Sequence, residues 1–209
     1  MKIYLDLIAF LKSPKLGKDA NKDFIYRSTS FVQLLFLCLF ISVAISIVIS
    51  RIYELGWIAN EYHAFDGLLE FSVFKILFIA SVMAPLLEEL IFRAPLTAFK
   101  SPWKLYRTNP ETRSRVFINT RIPLFENPRS FSIAFYGMAI LFGYVHLFNY
   151  QIDGQILFFS PILVAPQMIL GLIFGFIRIR FGLAWSVAMH AFYNGILVSL
   201  FLLAENGFQ

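Results

Sequence analysis

Three polar clusters interrupt otherwise apolar sequence: Glu88 through Arg93 (Glu-Glu-Leu-Ile-Phe-Arg), Phe142 through His146, and His190 through Asn194. An ionised side chain at mid-bilayer depth costs roughly 2.5–3.5 kcal/mol even on the gentlest insertion scale, so such residues face a cavity or a partner and are candidates for chemistry. Glu89 and Arg93 stand four apart, share one helix face and can neutralise each other, with the acid on the N-terminal side. Glu88 is turned about 100° from Glu89 around a helix, so Arg93 does not readily serve both acids. A carboxylate left without its own cation is what a general base requires. The competing reading is a structural ion-pair network lining a water-filled groove.

His146 and His190 are two of the three histidines, and both fall in apolar runs long enough to span a bilayer. Alone, each reads as a hydrogen-bonded packing residue; beside paired acids, each reads as a catalyst. His190 and Asn194 share a face by the same four-residue spacing and can present an imidazole and an amide to one point, as a developing oxyanion requires. A neutral histidine and a glutamate across a cavity can instead polarise a water between them. His63 lies in a polar loop and reads as solvated. Cys38 is the one cysteine, buried in an apolar run, which leaves neither a disulfide framework nor a Cys-based metal site.

The elements that must carry these residues are read from composition. The chain has 58% hydrophobic and 15% charged residues with a mean hydropathy of +0.70, against about 25% charged in soluble domains. This predicts an all-α, polytopic transmembrane helical bundle of about five spans preceded by an interfacial helix over 1–12. Residues 31–50 carry no charge over a length that crosses roughly 30 Å of hydrocarbon. The second span is expected from Phe71 to about Phe99, kinked at Pro85 and ended or bent at Pro95. Further spans are expected over Phe131–Phe148, Ile156–Ile177 (irregular at Pro161 and Pro166) and Gly182–Leu203. The whole chain, 1–209, reads as one integral membrane domain, with 1–30 a cytoplasmic or interfacial segment and 71–203 the functional core. The N-terminal apolar stretch is too brief and interrupted for a secretory signal.

Lysine and arginine collect in the first thirty residues, in the loop from Lys100 to Arg129, and at Arg178 and Arg180. By the positive-inside rule this puts the N-terminus in the cytoplasm and suggests a bacterial inner membrane. The net charge of +5 is then orientation signal with some attraction to anionic lipid, and no nucleic-acid partner is implied. The basic loop is long enough to fold over the cytoplasmic mouth and gate entry. Counting about 1.5 Å per residue from the cytoplasmic ends puts His190 roughly 12 Å deep, Glu88 roughly 15 Å and His146 roughly 22 Å, a loose overlap that needs tilt, a kink or a displaced third span.

There is no His-Glu-x-x-His, no Gly-x-Ser and no Gly-x-Gly-Asp, so zincin-type, rhomboid-like and aspartyl intramembrane chemistries lack their motifs. The ordered set Glu-Glu-x-x-Phe-Arg, Phe-x-x-x-His and His-x-x-x-Asn on successive membrane segments resembles the CPBP family, which contains type II CAAX prenyl endopeptidases and bacteriocin-processing or self-immunity (Abi) proteins. The resemblance covers roughly 71–203. It implies an intramembrane endopeptidase in which Glu88 and His146 activate water, His190 and Asn194 stabilise the oxyanion, and Glu89 and Arg93 support Glu88. It implies no required metal; zinc on His146, His190 and Glu88 is the alternative by ligand type. The chain has fewer spans before the first motif than many members. The expected substrate is a membrane-associated protein or peptide in the bilayer, and not a prenylated one. The alternative is a non-catalytic membrane binding or immunity protein.

Overall fold

The computed structural model describes residues 2–17, 23–59, 70–96, 99–100, 105–108, 115–118, 121–122 and 127–207. Helix α1 (Lys2–Lys12) is followed by α2 (Phe24–Glu54), which opens on Asp23, whose carboxylate accepts from the Ile25 and Tyr26 amides. The next run is broken in kind: α3 (Val73–Phe78), a π turn (Ile79–Met83), α4 (Ala84–Phe92) and a 3-10 turn (Ala94–Leu96). Strands β1 (Phe99–Lys100), β2 (Leu105–Thr108), β3 (Arg115–Ile118) and β4 (Arg121–Ile122) form two antiparallel ladders, β1 with β4 and β2 with β3. Then come α5 (Pro128–Val145), a 3-10 turn (His146–Asn149), α6 (Gly154–Leu163), α7 (Ala165–Arg180) and α8 (Leu183–Gly207).

Among the described residues, four helical stretches are long and apolar enough to cross a membrane: Phe24–Glu54, Pro128–Asn149, Gly154–Arg180 and Leu183–Ala204. The remaining expected span is the broken run through α3 and α4. It stops at Phe92, short of the expected Phe99, because Pro95 has no amide to continue the ladder and disfavours helix at the residue before it. The expected irregularity near Pro161 and Pro166 is a break at Val164 (φ −97°, ψ 0°). Pro166 sits in the first turn of α7, where its missing N–H costs no hydrogen bond. Gly182, at φ +109°, reverses the chain from α7 directly into α8, a backbone conformation that glycine adopts without steric penalty.

Helices α5 and α7 form the tightest contact, and small residues make it possible. A Cβ on Gly171 would lie 3.2 Å from the Ala139 Cα, one on Gly175 2.7 Å from the Phe135 ring, and one on Gly143 3.2 Å from the Met168 amide nitrogen and the Val164 carbonyl while overlapping the Met168 side chain. Helix α1 is docked on this pair: Ile3, Leu7 and Phe10 are buried, and the Phe10 ring meets Phe135 at 5.1 Å and Phe176 at 5.3 Å. An Arg180–Asp6 ion pair of 2.8 Å ties the two helices. By contrast, α2 leaves Phe36, Phe40, Val43 and Ile47 exposed, the pattern of a helix facing lipid. His63, and the side chains of the loop expected to gate entry, lie outside the described residues.

Candidate active site

Glu88, His146, His190 and Asn194 come from α4, the end of α5 and α8, and all four line one cavity of about 480 Å³. The depth mismatch expected for His146 disappears because the first turns of α5 are spent against the N-terminal segment. Ser132 donates to the Pro14 carbonyl at 3.1 Å and Tyr136 donates to the Leu11 carbonyl. Only the last turns of α5 reach the site.

The two adjacent acids occupy different environments, as their helical rotation requires. Glu89 is 0% exposed, and its carboxylate is surrounded: Ser186 Oγ donates to Oε2, while His190 Nδ1 at 3.2 Å and Arg93 Nε at 3.5 Å face Oε1. Arg93 is 2% exposed, with its guanidinium 3.7 Å from the Phe142 ring centroid. That cation–π contact compensates part of the desolvation of a cation whose two terminal nitrogens have no hydrogen-bond partner. The Glu89–Arg93 pair lies behind the cavity wall. Glu88 has a 28% exposed side chain that lines the cavity; its Oε2 stands 3.5 Å from His190 Nε2, too long for a good hydrogen bond, and has no hydrogen-bond partner.

His190 therefore sits between both glutamates, where the sequence reading paired it with Asn194 as an oxyanion donor and with Glu88 only as a zinc ligand. Its ring is held against Phe174 at 4.7 Å and edge-on to Phe142 at 5.8 Å. His146 has Nδ1 2.7 Å from the Phe142 carbonyl. A carbonyl only accepts, so Nδ1 carries the proton and the neutral ring presents an Nε2 lone pair.

The orientation of Asn194 follows from the π turn. The Ala84 amide bonds the Ile79 carbonyl, five residues back, and residue 85 is proline, so neither reaches the Ala80 carbonyl. Asn194 Nδ2 donates to that carbonyl at 3.0 Å. The amide nitrogen has a second hydrogen, which this contact leaves for the cavity. Ser186, His190 and Asn194, spaced by four, thus form one face of α8 that engages Glu89, Glu88 and the π turn in succession. The sequence reading missed Ser186, although its position four residues before His190 was a signal. It also missed Gln167 and Tyr193, which line the cavity; a glutamine inside an apolar span was a signal of its own.

Among the described residues no group of three or more His, Cys, Asp or Glu side chains is arranged to hold a metal ion. Of the zinc ligands expected by type, His190 has both ring nitrogens directed at carboxylates, and a metal on Glu88 would have to displace that contact.

Comparison with curated proteins and with solved structures returned no match. The profile of the family described as type II CAAX prenyl endopeptidase Rce1-like matches residues 70–196, more than half of the chain and a segment that holds all four cavity residues together with Glu89 and Arg93. With its apolar helices and these polar clusters, the chain is an integral membrane protein that belongs to this family of intramembrane CAAX-type proteases.

Proposed function

We propose that the protein is an intramembrane endopeptidase that hydrolyses a peptide bond of a membrane-associated protein or peptide with water activated by Glu88 and His146. The observation that carries this reading is the convergence of Glu88, His146, His190 and Asn194 on one cavity, with Glu89 and Arg93 buried behind it. Water held between the Glu88 carboxylate and the His146 lone pair gives a proton to Glu88 while its oxygen bonds to the scissile carbonyl carbon. The carbonyl oxygen becomes the oxyanion and receives N–H groups from Asn194 Nδ2 and His190 Nε2. A doubly protonated His190 donates from both nitrogens, to Glu89 from Nδ1 and to the oxyanion from Nε2. The charges of Glu88, Glu89, Arg93 and His190 then sum to zero, which suits a site of low dielectric. Collapse of the tetrahedral intermediate breaks the C–N bond, and Glu88 returns the proton to the leaving amine.

No step of this scheme passes through a metal. The loop charges support a cytoplasmic N-terminus, and a positive-inside topology of this style supports a bacterial inner membrane. The substrate is then a membrane-associated chain without a prenyl group. The test compares peptide termini in membranes of cells that express wild type or Glu88→Gln at equal abundance, after both are shown to fold. New termini with wild type alone support hydrolysis and identify substrates; identical termini with the cellular phenotype intact in the variant make the protein a binder and end the catalytic reading.

A further inference from the structure

Buried polar side-chain atoms without a hydrogen-bond partner are few among the described residues, and two of the residues that carry them line the catalytic cavity: Glu88, through Oε2, and Gln167, through Oε1. Both are acceptors. The first is the base of the proposed reaction, whose donor is water. The second has no place in that chemistry and still requires a donor, because a buried acceptor left unpaired costs about 1–3 kcal/mol.

Gln167 is the third residue of α7, directly after the break at Val164. That break and the α5–α7 glycine contacts fix the backbone there: the Met168 amide and the Val164 carbonyl abut Gly143, one turn before His146. The cavity also holds the amides of Asn149 and Asn194; Asn194 Nδ2 donates one of its hydrogens to the Ala80 carbonyl, and the Tyr193 hydroxyl donates to Ser42 Oγ at 2.6 Å. A peptide that enters a low-dielectric cavity brings one N–H per residue, each of which needs an acceptor there. The cavity volume lies in the range of sites that enclose small ligands or short peptide segments.

We infer that Gln167 is a substrate-positioning residue that accepts a hydrogen bond from one main-chain N–H of the bound peptide. Oε1 has no hydrogen-bond partner in the free protein and gains one when peptide binds. This assignment rests on the peptidase reading for its ligand class, and its test is one of binding, so the two can fail separately.

The full chain in lipid nanodiscs is silenced with Glu88→Gln and titrated with a membrane-anchored probe, an N-palmitoylated apolar hexapeptide, and with analogues N-methylated at each amide in turn. The expected result is that one analogue binds about 3- to 10-fold more weakly than the parent, and that Glu88→Gln/Gln167→Leu binds the parent more weakly by the same factor with no further loss on that methylation. Gln167→Met repeats the measurement with a different apolar shape. Neither change lowers the thermal midpoint, since each removes a buried acceptor that has no partner in the free protein. Unchanged parent affinity in both double variants, an undiminished methylation effect, or no binding of the parent to Glu88→Gln overturns the assignment. If Glu88-dependent cleavage in cells persists in that case, the peptidase reading stands without it. Coupling to Gln167 without Glu88-dependent cleavage would make the cavity a peptide-binding site and remove hydrolysis.

Discussion

The same substitution at two adjacent residues is expected to have opposite consequences. Glu89→Gln keeps the shape of the side chain and removes a charge that Arg93 Nε, His190 Nδ1 and Ser186 Oγ all address. Arg93 is almost wholly buried, and Glu88, the other acid within electrostatic reach, faces the cavity. Breaking a buried pair by removal of one partner costs about 3–5 kcal/mol, most of it the desolvated charge left behind. For a chain of this size about 1 kcal/mol corresponds to 2–4 °C in Tm, so Glu89→Gln is expected to melt about 6–20 °C below wild type.

Glu88→Gln removes a 28% exposed carboxylate whose Oε2 lies 3.5 Å from His190 Nε2 and makes no hydrogen bond. Its stability is expected within about 1 kcal/mol of wild type, while turnover falls about 10²- to 10⁴-fold with loss of the base. Thermal unfolding in detergent micelles, followed by tryptophan fluorescence, gives the first quantity, and cleavage of a substrate identified by the terminus comparison gives the second. Equal melting of Glu89→Gln and wild type would refute the buried-pair account. A stable, fully active Glu88→Gln protein would refute the division of labour altogether.

Asn194→Ala removes an oxyanion donor and is expected to lower kcat about 10²- to 10³-fold, measured on the same substrate. Pro85→Ala restores an N–H five residues from the Ala80 carbonyl, where it competes with Asn194 Nδ2; kcat is expected to drop about 2- to 10-fold with KM unchanged and Tm not reduced. Gly143→Ala forces a methyl against the backbone of α7 and is expected to destabilise by about 1–3 kcal/mol in thermal unfolding. Cleavage is expected to survive exhaustive chelation of the membranes, and its loss with recovery on added zinc would replace the metal-free scheme.

The spans were legible because apolar runs of bilayer length are bounded by charge, and the broken second span was legible in part because Pro85 and Pro95 stand in it. The kind of break was not. A π turn differs from a kink by one hydrogen-bond step, and nothing local to Ile79–Met83 distinguishes the two; Asn194, more than a hundred residues away, is what makes the freed carbonyl useful. The Glu89–Arg93 pair was legible from spacing alone, since both partners lie on one helix. The link from His190 to both glutamates was not, because it depends on how α8 meets α4. The α5–α7 contact was written as small residues four apart, Ala139 with Gly143 and Gly171 with Gly175, yet such a pattern names a face without naming its partner. Depth counted along α5 failed for a related reason: rise per residue is fixed, but where a helix starts relative to its neighbours is set by α1 and the residues after it.

The adjacency of the two acids also explains how Glu88, the proposed base, keeps its place. A lone glutamate on a lipid-facing helix would be free to turn toward the cavity water or away from it. Here Glu89, one residue on and about 100° around the helix, is locked by α8 through Ser186 and His190 and by Arg93 over the Phe142 face. Rotation of α4 would break all of these contacts at once. Glu88 is therefore aimed by the helix rather than by hydrogen bonds to its own carboxylate, whose Oε2 has only the 3.5 Å contact to His190 Nε2. The arrangement requires two acids in sequence with only one of them reactive, and it accounts for why the partners of Glu89 are buried whereas the neighbours of Glu88 border the cavity.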